Sequence, residues 1–399
     1  ARRCYGLSRD RGERMGHQLH RRLFLAGLGA SGLAGRSGPS QARSLAQAGD
    51  LSPLRAEVGR ISRITVCTRP FRAAGPRIEV EMVGDKRVVH NYGHGGAGWS
   101  LSWGSAALAR DLALQGGPGA CAVVGCGVLG LTSAIQILRS GCPTTIYAAE
   151  PAPFTRSVRA TGVWSPDSRL AASDAVSGDF GSRWEGMARQ SWYQHMNFVG
   201  LAGEPVSVMD QYSLFALQGR GRAVGPVPSP GRVPFVRYQD RLAGLGSVSR
   251  PLARSDHRFP VSAARVAPRL TFNVSEYAQQ LLNLFQGEGG RLVIRRFNHP
   301  SEFGDLSEPV VVNCTGYGAR ALFGDISLVP IRGQITWLVA QPEVTYSLNY
   351  NAVTMIPRPM GIIVQAQGAS SMVGYGLDDE TPDWSEAESA VAELATLFV

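Results

Sequence analysis

Hydrophobic residues along the chain follow the alternation of strands and helices that is typical of an α/β protein. Residues 120–124 form a short apolar run that predicts a buried parallel strand, residues 131–138 have helical spacing, and residues 144–148 predict the next strand. Residues 63–68 and 77–83 alternate with period two, which predicts half-buried strands. Further strands are predicted at 87–90, 205–217, 291–294, 309–313, 329–335 and 352–357, helices at 105–114, 183–198, 272–285 and 385–398, and breaks at 69–72 and 84–85.

A glycine-rich stretch at residues 88–104 separates a predicted strand from a predicted helix. Glycine occupies five of the twelve positions from 93 to 104. Glycine lets the backbone approach a flat group closely, and the N-terminus of the following helix attracts negative charge. A surface turn is the alternative, but a turn rarely has an apolar strand directly before it and a helix directly after. The stretch therefore predicts a contact with a cofactor.

A second glycine pattern, G-x-G-x-x-G, joins the first buried strand to the helix that follows it. Gly125, Gly127 and Gly130 form the pattern, and Glu150 follows twenty residues later, after the next strand. The three glycines alone are a weak signal, but strand, glycines, helix, strand and acid in this order predict a dinucleotide site. The glycines would let a pyrophosphate approach the helix N-terminus, and Glu150 would accept a hydrogen bond from a ribose hydroxyl.

The positive charge of the chain is concentrated at its beginning. The 399 residues carry a net charge of +9, with the 44% hydrophobic and 18% charged residues of a globular enzyme of about two domains. Residues 1–60 hold eleven arginines against four acidic residues, so the rest of the chain is only about +2. A nucleic-acid site would concentrate lysine and arginine on one face of a folded domain, and Lys86 is the only lysine. No nucleic-acid partner is therefore predicted.

The six cysteines do not form a metal-binding pattern. They show no C-x-x-C pair and no cysteine and histidine spacing typical of zinc. Several lie in apolar segments, where cysteine is usually a small hydrophobic residue. No metal site is predicted.

The first 42 residues resemble a twin-arginine export signal. Arg21 and Arg22 precede a mildly apolar, glycine-rich run that extends to Ala34, and residues 39–42 have the small-residue pattern of a cleavage site. The run is too short and too rich in glycine to span a bilayer. We therefore expect the twin-arginine export machinery as a partner and a periplasmic or secreted location. An untargeted extension on a cytoplasmic protein is the alternative.

Several motifs together resemble the D-amino-acid oxidase family of flavoproteins. The most specific is the string His-Asn-Tyr-Gly-His-Gly-Gly at residues 90–96, and the supporting motifs are spread over residues 63–399. The resemblance implies an α/β fold in which a Rossmann-like FAD-binding domain is interleaved with a strand-rich antiparallel substrate domain. The supporting motifs are Arg69-Pro70-x-Arg72, Val124-Gly-x-Gly-x-x-Gly-Leu131, Ala160-x-Gly162-x-Trp164-x-Pro166, Asn313-Cys-Thr-Gly316 and Arg332-Gly333-Gln334.

The order of these motifs differs from that of the family. In the family the dinucleotide motif opens the chain and the glycine stretch closes it, whereas here the glycine stretch comes first. A circular permutation would explain the order. The link at 115–119 can join the helix after the glycine stretch to the strand at 120–124, and the new chain ends fall in the surface connection between the helix at 385–398 and the strand at 63–68. The predicted parts are an export signal at 1–42, a linker at 43–62, an FAD-binding domain at 72–175 and 268–335, and a substrate domain at 176–267 and 336–399 together with 63–71.

The resemblance implies roles for three residues at the substrate end of the site. Arg69 matches the guanidinium that pairs with the substrate carboxylate, Tyr350 matches a tyrosine that contacts the same carboxylate, and Gly96 matches the position whose carbonyl faces the substrate amine. The family has a second tyrosine four residues after Tyr350, where this chain has Thr354. The residues assigned to the cofactor are Gly95, Gly98, Trp99, Ser100, Gly125, Gly127, Val128, Gly130, Glu150, Ser157, Gly162 and Trp164.

The resemblance implies FAD as the cofactor and an amino acid and oxygen as small-molecule partners. In the family a hydride passes from the α-carbon to the flavin, oxygen reoxidises the flavin to give hydrogen peroxide, and the imino acid is hydrolysed to a 2-oxo acid and ammonia. We therefore predict an FAD-dependent oxidase of D-amino acids or related amino acids. The alternatives are an FAD-dependent amine or amino-acid dehydrogenase that uses another acceptor, and a flavin-binding protein whose loss of catalysis Thr354 would mark. The resemblance is also compatible with a homodimer.

Overall fold

Fourteen strands and six α-helices make up the described part of the chain. The computed structural model describes residues 51–216, 233–246, 248–368 and 371–398, so the predicted export signal lies outside the described residues. No helix within these ranges has the length and apolar character needed to cross a membrane. The strands are β1 (Ile61–Arg72), β2 (Val80–Val83), β3 (Lys86–His90), β4 (Cys121–Val124), β5 (Thr144–Ala148), β6 (Val206–Phe215), β7 (Arg250–Leu252), β8 (Ala263–Phe272), β9 (Arg291–Ile294), β10 (Val310–Asn313), β11 (Leu328–Leu338), β12 (Ser347–Tyr350), β13 (Val353–Arg358) and β14 (Gly361–Ala366), and the helices are α1 (Gly98–Ala113), α2 (Val128–Arg139), α3 (Phe180–Met196), α4 (Val274–Gly287), α5 (Ala319–Leu322) and α6 (Trp384–Ala395).

A six-stranded sheet carries the dinucleotide pattern. Its order is β2-β3-β10-β4-β5-β9, in which all strands run parallel except the antiparallel edge strand β2. On β4, Ala122 and Val124 pack with Phe303 on one face, whereas Val123 packs with residues of α1, α2 and α4 on the other. Burial on both faces explains why β4 is an unbroken apolar run in the sequence.

An eight-stranded sheet forms the strand-rich second part of the predicted fold. Its order is β1-β11-β14-β13-β12-β6-β8-β7, and neighbours are antiparallel except for β12 and β6. Helix α6 packs against this sheet through Val391 and Leu394, which are buried with residues of β13 and β14. The predicted α/β fold with an antiparallel second sheet is confirmed. Strand β11 extends across the domain boundary predicted at residue 335.

Strand β1 corrects the prediction that the chain breaks at residues 69–72. The strand continues to Arg72, and Pro70 lies opposite Pro330 in the ladder with β11. Proline cannot donate to a ladder, and the fold tolerates it here because β1 is the edge strand of its sheet. As a result, Arg69 is held on a regular strand.

Helix α1 begins at Gly98, seven residues before the predicted start at Ser105. Glycine has a low helix propensity, so Gly104 favoured a loop in the sequence. In the fold, an added Cβ on Gly104 would lie 2.2 Å from the backbone oxygen of Met187 in α3. The close approach of two helices therefore requires glycine at this position, and residues 98–100 form the first turn of a helix.

The two-residue turn between β12 and β13 contains a left-handed alanine. Asn351 and Ala352 have φ angles of 45° and 61°, positive at both positions as in a type I′ turn. A left-handed residue other than glycine costs roughly 1–2 kcal/mol, which exceeds the roughly 0.5–1 kcal/mol that glycine costs in backbone freedom. We expect Ala352→Gly to raise the free energy of unfolding by up to about 1 kcal/mol in urea denaturation.

Gly84 offers the reciprocal control for this turn. It has a φ of 59°, and no atom lies within 4 Å of an added Cβ, so Gly84→Ala tests backbone strain alone. We expect Gly84→Ala to lower the free energy of unfolding by a similar amount. A loss of stability in both variants would contradict the explanation by backbone strain.

Candidate functional site

One large cavity lies at the edge where the parallel strands of the six-stranded sheet end. Its volume of about 1490 Å³ is above the roughly 300–1,000 Å³ of most small-molecule sites. Ligands of α/β proteins usually bind outside the carboxyl ends of the strands. Residues of the eight-stranded sheet complete the wall. The lining residues that follow the parallel strands include 94–96 after β3, 125–129 after β4, 149–150 after β5, 295–298 after β9 and 314–318 after β10.

The loop after β4 forms a glycine cradle, made by Gly125, Gly127 and Gly130. Gly125 has a φ of 109°, and an added Cβ would lie 2.6 Å from the carbonyl oxygen of Cys314. An added Cβ on Gly130 would lie 1.9 Å from the carbonyl oxygen of Gly125. Gly127 lines the cavity, and its nearest neighbour, Cβ of Ser157, would lie 3.4 Å from an added Cβ. Two glycines are thus required by the packing of the loop, whereas the third would accept a Cβ in ordinary contact with Ser157.

The N-terminus of helix α2 points at this cradle. Its N-cap, Gly127, has no side chain to satisfy the first backbone donors, and the Val128 N–H donates to Ser157 Oγ at 3.2 Å. On the same wall, Thr155 Oγ1 is buried without a hydrogen-bond partner among the described residues, and Glu150 lies on the loop after β5. A helix N-terminus with unsatisfied donors beside a buried hydroxyl suits a phosphate group.

Backbone hydrogen bonds hold Gly95 and Gly96 between two other segments. The Gly95 N–H donates to Pro70 O at 2.8 Å, and the Gly96 N–H donates to Ser168 O at 2.9 Å. An added Cβ on Gly95 would lie 1.8 Å from Arg169 O, and one on Gly96 would lie 2.7 Å from Ser168 Oγ. Contacts with Ser168 and Arg169 of the same chain therefore require glycine at both positions.

The first turn of α1 fixes the loop that follows the cradle. Trp99 Nε1 donates to Ser157 O at 2.8 Å, and the Ser165 N–H donates to Ser100 Oγ at 2.8 Å. Gly162, between these two contacts, has a φ of 72° and would place a Cβ 2.2 Å from the backbone of β8. Helix α1 thus anchors the loop at 157–165 near both of its ends.

Arg69, Tyr350 and Gly96, predicted at the substrate end, all line the cavity. Arg69 Nη1 donates to Arg332 O at 3.3 Å, and no carboxylate of the described residues lies within 4.0 Å of the Arg69 guanidinium. An arginine without an ion-pair partner on a cavity wall suits the carboxylate of a ligand.

Thr354 belongs to a polar network on the same wall. Its hydroxyl donates to Asn349 Oδ1 at 2.7 Å and accepts from Gln367 Nε2 at 3.3 Å. Gln367 also donates to Gln365 Oε1, which accepts from Thr161 Oγ1 at 2.6 Å. Thr354, at the position where the family pattern has a second tyrosine, is therefore hydrogen-bonded to side-chain amides of the wall.

Burial keeps a histidine and several thiols of the wall uncharged. It lowers the pKa of His94 to about 3, raises the pKa of Cys126 to about 11 and that of Cys314 to about 12, and raises the pKa of Cys67 as well. His94 Nε2 contacts Ser105 Oγ at 2.8 Å, and its Nδ1 has no hydrogen-bond partner among the described residues. At neutral pH these side chains supply neither a thiolate nor an imidazolium to the cavity.

A second buried histidine, His195, makes stability depend on pH. Its Nδ1 lies 2.9 Å from Tyr277 Oη and its Nε2 lies 3.1 Å from Trp99 O, and burial lowers its pKa to about 3. The unfolded chain binds a proton here below pH of about 6.5, whereas the folded chain does not. We therefore expect the free energy of unfolding to fall on acidification from about pH 6.5 toward pH 3, by at most about 1.4 kcal/mol per pH unit for each of His94 and His195.

Urea denaturation at several pH values tests this expectation. The variant His195→Phe should remove the contribution of one histidine from the slope of the free energy of unfolding against pH. The slope is the readout, so a change in the stability of the variant at neutral pH does not affect the test. His299→Gln, at an exposed position, is the control for replacing a histidine. A slope unchanged in His195→Phe would show that this histidine is not the source.

Thirteen of the fifteen residues predicted for the site line the cavity. The exceptions are Gly130, which closes the glycine cradle, and Ser100, which holds the loop at Ser165. Both residues contact segments that line the cavity without lining it themselves. The structure thus brings the predicted residues together, and their individual roles toward substrate or cofactor stay predictions.

Some lining residues had no signal in the sequence. Arg169 comes close to Arg69 only through the contacts of Gly95 and Gly96, and Arg269 of β8 donates to Gln211 of β6 at 3.2 Å across a strand pair. Such contacts depend on tertiary packing. Residues 295–298 could have been found, because they follow the predicted strand at 291–294, and ligands of α/β proteins usually bind where strands of the parallel sheet end.

A family model described as FAD dependent oxidoreductase matches residues 120–399. The chain belongs to this family. The match begins one residue before β4, so the glycine stretch at 88–104 precedes it, and the circular permutation stays a prediction.

Curated relatives agree with membership of the FAD dependent oxidoreductase family. A D-amino-acid oxidase from Rubrobacter xylanophilus is 30% identical over 217 residues, which are 53% of this chain and 57% of that protein. A D-amino-acid oxidase from Streptomyces coelicolor is 27% identical over 245 residues, which are 58% of this chain and 66% of that protein. The chain thus spans less than two thirds of the length of these relatives. Glycine oxidase from Geobacillus kaustophilus, a solved structure, aligns with a TM-score of 0.47 at 15% identity over 70% of this chain and 77% of that chain.

The cavity fits FAD, the cofactor of the family. FAD carries a pyrophosphate, a ribose and a flat ring system. Gly127, which lines the cavity at the N-terminus of α2, and the Thr155 hydroxyl, which has no partner among the described residues, suit the pyrophosphate, and the Glu150 carboxylate suits a ribose hydroxyl. Arg69 and Tyr350 line the same cavity.

Proposed function

We propose that the protein is an FAD-dependent oxidase of D-amino acids. The observation that supports this most directly is the Arg69 guanidinium, which has no carboxylate partner among the described residues and lies in the same cavity as the glycine cradle. A cation in this position suits the carboxylate of an amino acid. The names of the curated relatives in Rubrobacter and Streptomyces point to the same substrates.

In the proposed reaction the residues of the chain bind and orient the substrate. Arg69 binds the α-carboxylate through charge-assisted hydrogen bonds, and the backbone carbonyl of Gly96 accepts a hydrogen bond from the amine. FAD, when bound, supplies the hydride acceptor and then the electrons that reduce oxygen. The net reaction converts a D-amino acid, oxygen and water into a 2-oxo acid, ammonia and hydrogen peroxide.

The absorption spectrum of the purified holoenzyme tests the proposal. Under anaerobic conditions, D-alanine, D-asparagine or D-aspartate should bleach the flavin spectrum, whereas the L-enantiomer of the same amino acid is the matched control and should not. Admitting air should restore the spectrum and release one hydrogen peroxide per substrate consumed.

Two results would overturn the oxidase proposal and favour an alternative. If the bleached spectrum recovers with an artificial acceptor but not with air, the protein is a dehydrogenase. If the flavin is bound and no amino acid in the panel bleaches it, the protein binds flavin without this catalysis, as the change to Thr354 would allow.

A further inference from the structure

Two arginines flank the same pair of glycines in the cavity. Gly95 is hydrogen-bonded to Pro70, the residue after Arg69, and Gly96 is hydrogen-bonded to Ser168, the residue before Arg169. Both arginines line the cavity. Two short backbone contacts therefore hold the backbone of both arginines beside the same two glycines.

Arg169 is held in a strained conformation. Its φ is 46°, in the left-handed region that residues other than glycine rarely adopt. The carbonyl of Arg169 lies against Gly95, where any Cβ would collide with it. Strained backbone of this kind persists where surrounding structure enforces it, and it is concentrated at functional sites.

Neither arginine has an acidic partner in the described part of the chain. Arg169 Nε donates to Ser371 O at 2.8 Å, which leaves the two terminal nitrogens of its guanidinium for other partners. The glutamates on the described wall are Glu150 and Glu380, and Glu380 already pairs with Arg156 and Arg159. Burial, and then the charge of Arg69, lower the pKa of Arg169 to about 10, so it remains charged at neutral pH.

The charge of the whole wall exceeds what the cofactor can neutralise. The described lining contains seven arginines and two glutamates, and one of the arginines, Arg295, already pairs with Asp305 at 2.6 Å. The pyrophosphate of FAD adds two negative charges, so six arginines face four negative charges. A substrate with one carboxylate and one ammonium group is neutral overall and leaves this surplus in place. A substrate with a second carboxylate reduces it.

We propose that Arg69 binds the α-carboxylate and Arg169 binds a second carboxylate on the side chain, so that the enzyme prefers short 2-amino dicarboxylic acids. Arg169 is then a residue that determines specificity. This inference rests on the proposed function, because it assumes that an amino acid occupies the cavity.

The comparison of D-aspartate with D-asparagine tests the proposal, because the two differ only in the charged group. The holoenzyme should show a higher kcat/KM for D-aspartate. In Arg169→Met, kcat/KM should fall at least about tenfold more for D-aspartate than for D-asparagine, and Arg169→Lys should recover part of the difference because it restores the charge. Arg265→Met, an exposed arginine on β8, is the control for removing a positive charge and should change neither value.

A binding measurement separates this inference from the proposed function. Succinate and succinamate lack an amine and do not react, and calorimetry on the flavin-loaded protein should show tighter binding of succinate, with the preference lost in Arg169→Met. Equal binding of the two acids by the unmodified protein would overturn the inference. So would equal losses on D-aspartate and D-asparagine in Arg169→Met, since both arginines would then hold one carboxylate. If no D-amino acid bleaches the flavin but succinate still binds preferentially through Arg169, the proposed oxidase function fails and the dicarboxylate site remains.

Discussion

Replacing Gly130 by alanine is expected to destabilise the fold and to abolish tight binding of FAD. An added Cβ would lie 1.9 Å from the carbonyl oxygen of Gly125, so either the cradle must open or helix α2 must shift. Overpacking of a closely packed site costs about 1–3 kcal/mol or more. Urea denaturation of the flavin-free protein measures the loss of stability, and the flavin content of the purified protein measures binding.

Gly127→Ala separates the two effects. Its added Cβ would have its nearest protein neighbour at 3.4 Å, which is ordinary contact, so the flavin-free protein should keep its stability while FAD binding weakens. Gly119→Ala, where no atom lies within 4 Å of an added Cβ, is the control and should keep both properties. A Gly130→Ala protein with normal stability and full flavin content would contradict the close packing of Gly130 against Gly125.

Replacing Arg69 by methionine is expected to remove most of the catalytic efficiency toward D-amino acids. Loss of one partner from a buried, hydrogen-bonded charge pair costs about 2–5 kcal/mol, which corresponds to a decrease in kcat/KM of roughly thirtyfold to several thousandfold. Steady-state peroxide production from D-alanine measures the decrease. The flavin spectrum of the variant should be unchanged, because Arg69 is assigned to the substrate.

D-Alaninamide is the matched substrate for this variant, because it replaces the carboxylate by a neutral amide. The effect of Arg69→Met should largely disappear with D-alaninamide. An equal loss with both substrates would mean that Arg69 acts through the fold or the cofactor and does not pair with the carboxylate.

The sequence predicted the parts of the fold whose signals are local. The apolar run at 120–124, the three glycines and the helix after them lie within twenty residues, and the structure has them as β4, the cradle and α2. Their apolar patterns follow burial. Every side chain of β4 is buried, so the strand is an unbroken apolar run, and α2 packs one face on the sheet, so its apolar residues recur with helical spacing.

Features that depend on distant partners were predicted wrongly or not at all. The break at Pro70 was wrong because edge position, a property of the whole sheet, decides whether proline is tolerated. The predicted start of α1 at Ser105 was wrong because Gly104 was taken as a loop residue. The structure requires glycine there for the close contact with Met187, inside the helix. Arg169 was absent from the predicted site, since only the packing of Gly95 and Gly96 brings it beside Arg69.

The position of β10 has a consequence for how the chain folds. In the six-stranded sheet β10 lies between β3 and β4, pairing Val310 with both Arg87 and Cys121, although it is synthesised long after them. Until residue 313 has left the ribosome, β3 and β4 have no native partner on their facing sides, and two apolar strand edges stay open. Pairing between distant segments slows folding, and open edges promote association with other chains. The strand that completes the binding edge of the sheet is therefore also the one whose late arrival exposes the nascent protein to aggregation.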